Sequence, residues 1–121
     1  MLNLNSIMIG SQQPKVLANF YEKVLEKKPD MEEGGWYGFS AGGCFLSLGA
    51  HDKVKGEAKN PERIILNFET NDIDEEFARI KKLGATVIAE PYNMEGEGPH
   101  QVATFADPDG NYFQLVIPWK E

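Results

Sequence analysis

A chain of 121 residues, 41% of them hydrophobic, is enough for one domain, 1–121, with a real core; at this size folding buries roughly two thirds of the unfolded chain's surface. Lys and Arg number 12 against 19 Asp and Glu, a net charge of −7. Such a field disfavours nucleic acid and anionic membranes, which call for a basic patch. The single cysteine, Cys44, excludes an intrachain disulfide and suits a reducing compartment. No apolar run approaches about 18 residues and no signal-peptide pattern opens the chain, so the expected location is the cytoplasm.

Asn3 to Ile9 opens as a strand, with Ile7 and Ile9 on one face and Ser6 and Met8 on the other. Ser11 is placed to cap the next helix, and Pro14 is tolerated in its first turn. Val16 to Lys27 carries apolar residues at Val16, Leu17, Phe20, Tyr21, Val24 and Leu25, the stripe of an amphipathic helix, which Pro29 stops. A short acidic connection around Met31 leads to Gly35–Ser40, which reads as a strand. Ala41-Gly-Gly43 then turns the chain into a returning strand, Cys44 to Leu48. On it Cys44, Leu46 and Leu48 share one face, and Phe45 and Ser47 the other. His51 to Asn60 is polar and reads as a linker.

The pattern then begins again. Arg63 to Phe68 reads as a strand with Ile64, Leu66 and Phe68 on one face and Arg63, Ile65 and Asn67 on the other. Asn71 or Asp72 caps a helix over Ile73 to Leu83, with Gly84 as its C′ glycine. Thr86 to Ala89 is a strand, and Tyr92 to His100, Gly-rich and acidic, is expected to be a mobile loop. Gln101 to Ala106 and Tyr112 to Ile117 form a hairpin. Its turn, Ala106 to Asn111, has Pro108 to preset φ, Gly110 to allow φ > 0, and Asp107 and Asn111 to bond the turn backbone. Asp107 and Asp109 therefore serve backbone geometry rather than acid/base chemistry.

The order strand, helix, strand, strand, strand occurs twice, over module one (1–56) and module two (61–121), and Ser6 to Arg63 and Phe20 to Phe77 are both 57 residues apart. The fold class expected is α+β: two βαβββ modules forming a curved mixed sheet with a cup-shaped cavity, a natural small-molecule site. The faces away from the helices would carry Ser6, Met8, Phe45, Ser47, Arg63, Ile65, Asn67, Tyr112 and Gln114. Arg63, if buried, either pairs with an acid such as Glu62 or Glu69 or awaits an anionic ligand group. Trp36, Tyr37 and Phe39 are read as ordinary core, although alternation leaves open an aromatic wall. His51 and His100 read as exposed loop residues, and Cys44 as a small inert strand residue.

Three stretches carry a resemblance to a known group. They are the helix segment Ala18-Asn-Phe-Tyr-Glu-Lys-Val-Leu25, the helix end Leu83-Gly-Ala85, and Phe105-Ala-Asp-Pro-Asp-Gly-Asn111 running into the last strand. In this order they resemble the vicinal oxygen chelate superfamily, which includes glyoxalase I, extradiol dioxygenases, fosfomycin resistance proteins and bleomycin resistance proteins. In the metal-dependent members each module gives two ligands, one from its first strand and one from its last, typically His or Gln, Glu, His and Glu. The resemblance puts those positions at Ser6, Ser47, Arg63 and Gln114. Serine hydroxyls are weak ligands, Arg63 is a cation without a lone pair, and one amide does not hold a divalent ion.

The resemblance therefore implies a small-molecule-binding protein without the family metal site and without a cofactor, similar to the bleomycin resistance proteins. Arg63, Gln114, Ser6, Ser47, Phe45, Tyr112, Asn67 and Met8 are the expected ligand-binding residues. The competing reading is a metal-dependent lyase, isomerase or dioxygenase with displaced ligands, and the residues leave catalysis open. A small organic ligand and a homodimeric partner are expected, the latter because small members of the family usually pair.

Overall fold

A computed structural model describes residues 1–119. The chain divides into two units, Met1–Gly56 and a second beginning at Glu57, inside the polar stretch between the two repeats. The first unit holds β1 (Ser6–Gly10), α1 (Pro14–Leu25), β2 (Met31–Glu33), β3 (Trp36–Ala41) and β4 (Cys44–Gly49). The second opens with a one-turn 3-10 helix, Pro61–Arg63. It continues with β5 (Leu66–Glu69), α2 (Ile73–Lys82), β6 (Thr86–Tyr92), β7 (Val102–Ala106) and β8 (Tyr112–Val116). Each unit is thus a βαβββ module with its own four-stranded mixed sheet, in the orders β1-β4-β3-β2 and β5-β8-β7-β6. In each, the first strand pairs parallel with the last and the other pairs are antiparallel.

In the first unit α1 packs on β3 and β4. Its stripe Leu17, Ala18, Tyr21 and Val24 is buried, as are Phe39, Leu46 and Leu48 of the sheet. Residues opposite one another in the ladder share a face, and Phe39 stands opposite Leu46 and Tyr37 opposite Leu48, with Ile7 and Ile9 beyond. The helix starts at Pro14, where the missing N–H costs nothing. Its N-cap is Gln13, not Ser11: the Ser11 hydroxyl accepts from the Gln13 N–H at 3.0 Å, two residues on, and turns the chain ahead of the helix rather than capping it. The helix ends at Leu25, because Glu26 turns left-handed (φ 56) and the Lys27 N–H returns to the Glu22 carbonyl. Lys27 then binds Asp30 at 2.7 Å and the Ser40 carbonyl at 2.9 Å, while Asp30 accepts from the Ser40 N–H. The Lys27 hydrogen bond, followed by the Ser40 N–H, holds the Asp30 carboxyl below its ordinary range.

In the second unit α2 packs on β6, β7 and β8. Asp72 is the N-cap, accepting from the Glu75 N–H at 3.1 Å, and Gly84 (φ 95) follows the last turn. Four phenylalanines form the core: Phe77 stacks on Phe105 at 5.1 Å, Phe105 on Phe113 at 5.5 Å, and Phe68 meets Phe113 edge-on at 5.9 Å. The turn between β7 and β8 closes on Asp107, which is buried. Its carboxylate accepts from the N–H groups of Asp109 and Asn111 and from the Asn111 side chain. Residues 93–101 are pinned rather than loose. The Gln101 side chain accepts from the Met94 and Glu95 N–H groups and donates to the Glu95 carbonyl, Asn93 donates to the Gly98 carbonyl, and His100 meets Asp74 at 2.8 Å.

Arg63 departs from the expected strand. Pro61 opens a turn closed by the Arg63 N–H on the Asn60 carbonyl at 3.0 Å, and β5 begins only at Leu66. Proline presets φ for a turn, and this one uses up the residues assigned to the strand's beginning. Arg63 is exposed and forms no ion pair among the described residues.

Candidate functional site

The face of each sheet away from its own helix is set by the ladder. In the first unit Met8 stands opposite Ser47 and Ser6 opposite Phe45, so all four lie on the face away from α1. Across β4 and β3 the same face carries Gly38, opposite Ser47, and Ser40, opposite Phe45. Trp36, one residue before the helix-side Tyr37, belongs to it as well. Phe39 is core and Tyr37 faces the helix, so Trp36 alone of the three supplies an aromatic wall.

Two glycines build this face. A Cβ at Gly38 would fall within the Phe45 ring, and one at Gly49 within the Trp36 indole. Each ring lies close against a strand backbone that only glycine leaves bare. The Met31 methyl also closes on Gly38. The result is a platform of Phe45 and Trp36, both half-buried, with Met8 64% exposed at the edge. The sequence reading passed over these glycines, although a glycine inside an aromatic strand (Trp36-Tyr-Gly-Phe39) is itself a signal of close approach.

In the second unit Asn67 stands opposite Gln114, and Gln114 opposite Thr104, giving a polar row across three strands on the face away from α2. Gln114 Nε2 donates to Thr104 Oγ1 at 3.0 Å, which leaves its Oε1 to accept from a ligand. Thr104 was missed in the sequence because it lies inside the apolar run Val102–Ala106. Tyr112, opposite Ala106, lies on the same face. Arg63 is not on a strand and does not join the row.

The ladder also corrects the spacing of the repeat. Met8 opposite Ser47 corresponds to Asn67 opposite Gln114, an offset of 59 rather than 57. The residue of β5 equivalent to Ser6 is therefore Ile65, which precedes the strand and has no donor atom. In the first unit these positions offer two hydroxyls, and in the second an apolar side chain or an exposed guanidinium with a single amide oxygen; neither set supplies the imidazole or carboxylate donors that a divalent cation calls for. Elsewhere, among the described residues, no group of three or more His, Cys, Asp or Glu comes together to hold one. His51 Nδ1 accepts from the Lys53 N–H, His100 is engaged with Asp74, and Cys44 is half-buried at the start of β4.

A family model described as the glyoxalase-like domain matches residues 6–116. No curated protein matches the sequence. Among solved structures, a glyoxalase/bleomycin resistance protein/dioxygenase family enzyme from Burkholderia phytofirmans PsJN superposes with a TM-score of 0.74 at 20% identity, over 94% of this chain and 97% of its own. A glyoxalase-related enzyme from Fulvimarina pelagi gives 0.76 at 15% identity, over 98% and 89%. A glyoxalase/bleomycin resistance protein from Albidiferax ferrireducens T118 gives 0.72 at 18%, over 94% and 98%. At these identities the likeness concerns the fold.

Proposed function

This chain belongs to the glyoxalase-like domain family of the vicinal oxygen chelate superfamily, and from that premise we propose that it binds a small organic molecule without a metal at the family's ligand positions. The observation that carries the reading is the donor set. Where the metal-dependent members place imidazoles and carboxylates, this chain places Ser6, Ser47 and Gln114, and its Arg63 stands outside the strand. What replaces metal donors is chemistry suited to organic ligands: the rings of Phe45 and Trp36 on bare backbone, and a polar row of Asn67, Gln114 and Thr104.

In this reading the first unit offers dispersion and stacking through Phe45, with Met8 beside it, and hydroxyls through Ser47 and Ser6; taken by itself, the second unit offers the amides of Gln114 and Asn67 to orient a polar group. Tyr112 contributes a phenol. Arg63, being exposed, acts at most as an outer attraction for anionic groups. Sequestration is favoured over turnover, as the words "bleomycin resistance protein" in the names of two structural relatives suggest. In the same reading the protein is a cytoplasmic homodimer. The support for that is the family's habit of pairing and the lone cysteine, together with the fact that among the described residues no helix is long and apolar enough to cross a membrane.

Elemental analysis of the purified protein, before and after incubation with Ni, Mn, Fe or Zn and gel filtration, is expected to find well under about 0.1 metal per chain. One tightly retained ion per chain would overturn the reading in favour of a metal-dependent lyase, isomerase or dioxygenase with displaced ligands.

A further inference from the structure

A second feature of the molecule lies beyond these residues. At the Val116 end of β8 is a cavity of ≈ 380 Å3, lined by Met94, Glu95, Gln101, Val116, Ile117 and Trp119. That volume suits a small organic ligand. Of the six described lining residues four are apolar or aromatic, one is an amide and one is an acid; none of these six is basic. Trp119 is 78% exposed and Met94 67%, so two large apolar side chains stand in solvent around one hollow.

The acid is held in place. Gln101 Oε1 accepts from the Met94 N–H at 3.0 Å and the Glu95 N–H at 3.2 Å, while its Nε2 donates to the Glu95 carbonyl at 3.0 Å. One amide side chain thus fixes the backbone that presents Glu95. A second carboxylate is near: Glu69 stands opposite Val116 in the β5–β8 ladder, on the same face. Neither Glu95 nor Glu69 forms an ion pair among the described residues. An anionic ligand would meet the Glu95 charge in the lining, with Glu69 beside Val116 on the neighbouring strand, on a chain of net charge −7. A bare metal ion would find one lining carboxylate and an amide whose atoms are already bonded.

From the lining we infer that this cavity binds a small organic ammonium ion, its cationic head taken by the Glu95 carboxylate and the Trp119 indole and its apolar body by Val116 and Ile117. An indole face attracts a cation through its ring quadrupole, and an alkylated ammonium gives up little hydration to reach it. A carboxylate alone would take any cation, and an apolar hollow alone any hydrocarbon. The combination selects charge and apolar bulk on one molecule. The assignment does not depend on the ligand proposed for the Phe45 and Gln114 residues.

The chain has two tryptophans, Trp36 on the first unit's face away from α1 and Trp119 at the cavity, so their indole N–H resonances report the two places separately. The probe is choline, titrated into 15N-labelled protein against 3,3-dimethyl-1-butanol, its neutral carbon isostere, at matched ionic strength. Trp119→Phe assigns the resonance. Choline is expected to move the Trp119 signal saturably, with the isostere binding at least about threefold more weakly. Glu95→Gln, which keeps the shape and removes the charge, should weaken choline by about threefold and leave the isostere unchanged. Equal binding of the two probes, an unchanged Trp119 signal, or movement of Trp36 alone would overturn the inference. The last result would leave the reading of the Phe45 platform standing.

Discussion

Replacing Asp107 by alanine isolates what the turn before the last strand requires. The Asp107 carboxylate is buried, 5% exposed, and accepts from the Asp109 N–H at 2.9 Å, from the Asn111 N–H at 3.0 Å and, at its two oxygens, from Asn111 Nδ2 at 3.2 and 3.0 Å. Alanine leaves two backbone donors of a tight turn without an acceptor. Each such orphan costs about 1–3 kcal/mol when buried. Because Asn111 is only half-buried and water reaches it, the lower half of that range applies, and the two together come to about 3 kcal/mol. For a chain of this length that corresponds to a fall in Tm of about 10 °C. Asp107→Asn keeps a side-chain oxygen as acceptor and should cost about 1 kcal/mol. Urea unfolding followed by circular dichroism reads both. An Asp107→Ala protein within about 1 kcal/mol of the parent would refute the reasoning. So would ligand binding lost with stability unchanged, which is what a chemical role for this acid would give.

Gly38→Ala and Gly49→Ala each place a methyl inside a ring, Phe45 or Trp36, and should destabilise by about 1–3 kcal/mol. Gly49→Ala should also shift Trp36 fluorescence, and an unshifted spectrum would mean the indole does not lie there. Glu26→Gly relieves a left-handed non-glycine residue and should raise stability by about 0.5–1 kcal/mol in the same urea assay; a loss would show that the Glu26 side chain matters more than its φ. The Asp30 carboxyl sits below its ordinary value because of Lys27 and the Ser40 N–H. Its contribution is therefore present above the unfolded value of about 3.9 and lost as pH falls through the lower folded one. The stability gap between the parent and Asp30→Asn should narrow from pH 5 toward pH 2, and a constant gap would refute it.

Both helices and the alternating faces of β4 were legible because period 3.6 and period 2 are set by local geometry. Leu46 and Leu48 had to face one way, Phe45 and Ser47 the other, and they do. The family itself was legible in the Asp107–Asn111 turn, whose chemistry is local. Arg63 was misplaced because an equal spacing of 57 was carried across both modules, while Pro61 turns the chain and delays β5. Pairing register depends on the partner strand, and no window of sequence contains it. Gln101 is a similar case. It reads as the start of a strand, but its amide closes back on residues 94 and 95, a contact fixed only once the loop is folded. Gly38 and Gly49 were visible as residues, but not as the seats of rings lying across the sheet.

The parallel pairing of first and last strands sets the longest loop that each module must close. Within each module the antiparallel neighbours close over short turns, Gly34-Gly35 and Gly42-Gly43 in the first and 107–111 in the second. Such closures take on the order of microseconds. β1 reaches its partners Phe45 and Ser47, and β5 its partners Phe113 and Gln114, only across the rest of the module. The residues that open each module thus make the least local pairing of its sheet, and Met8 and Asn67, on those strands, reach the faces away from the helices only through contacts that span the module.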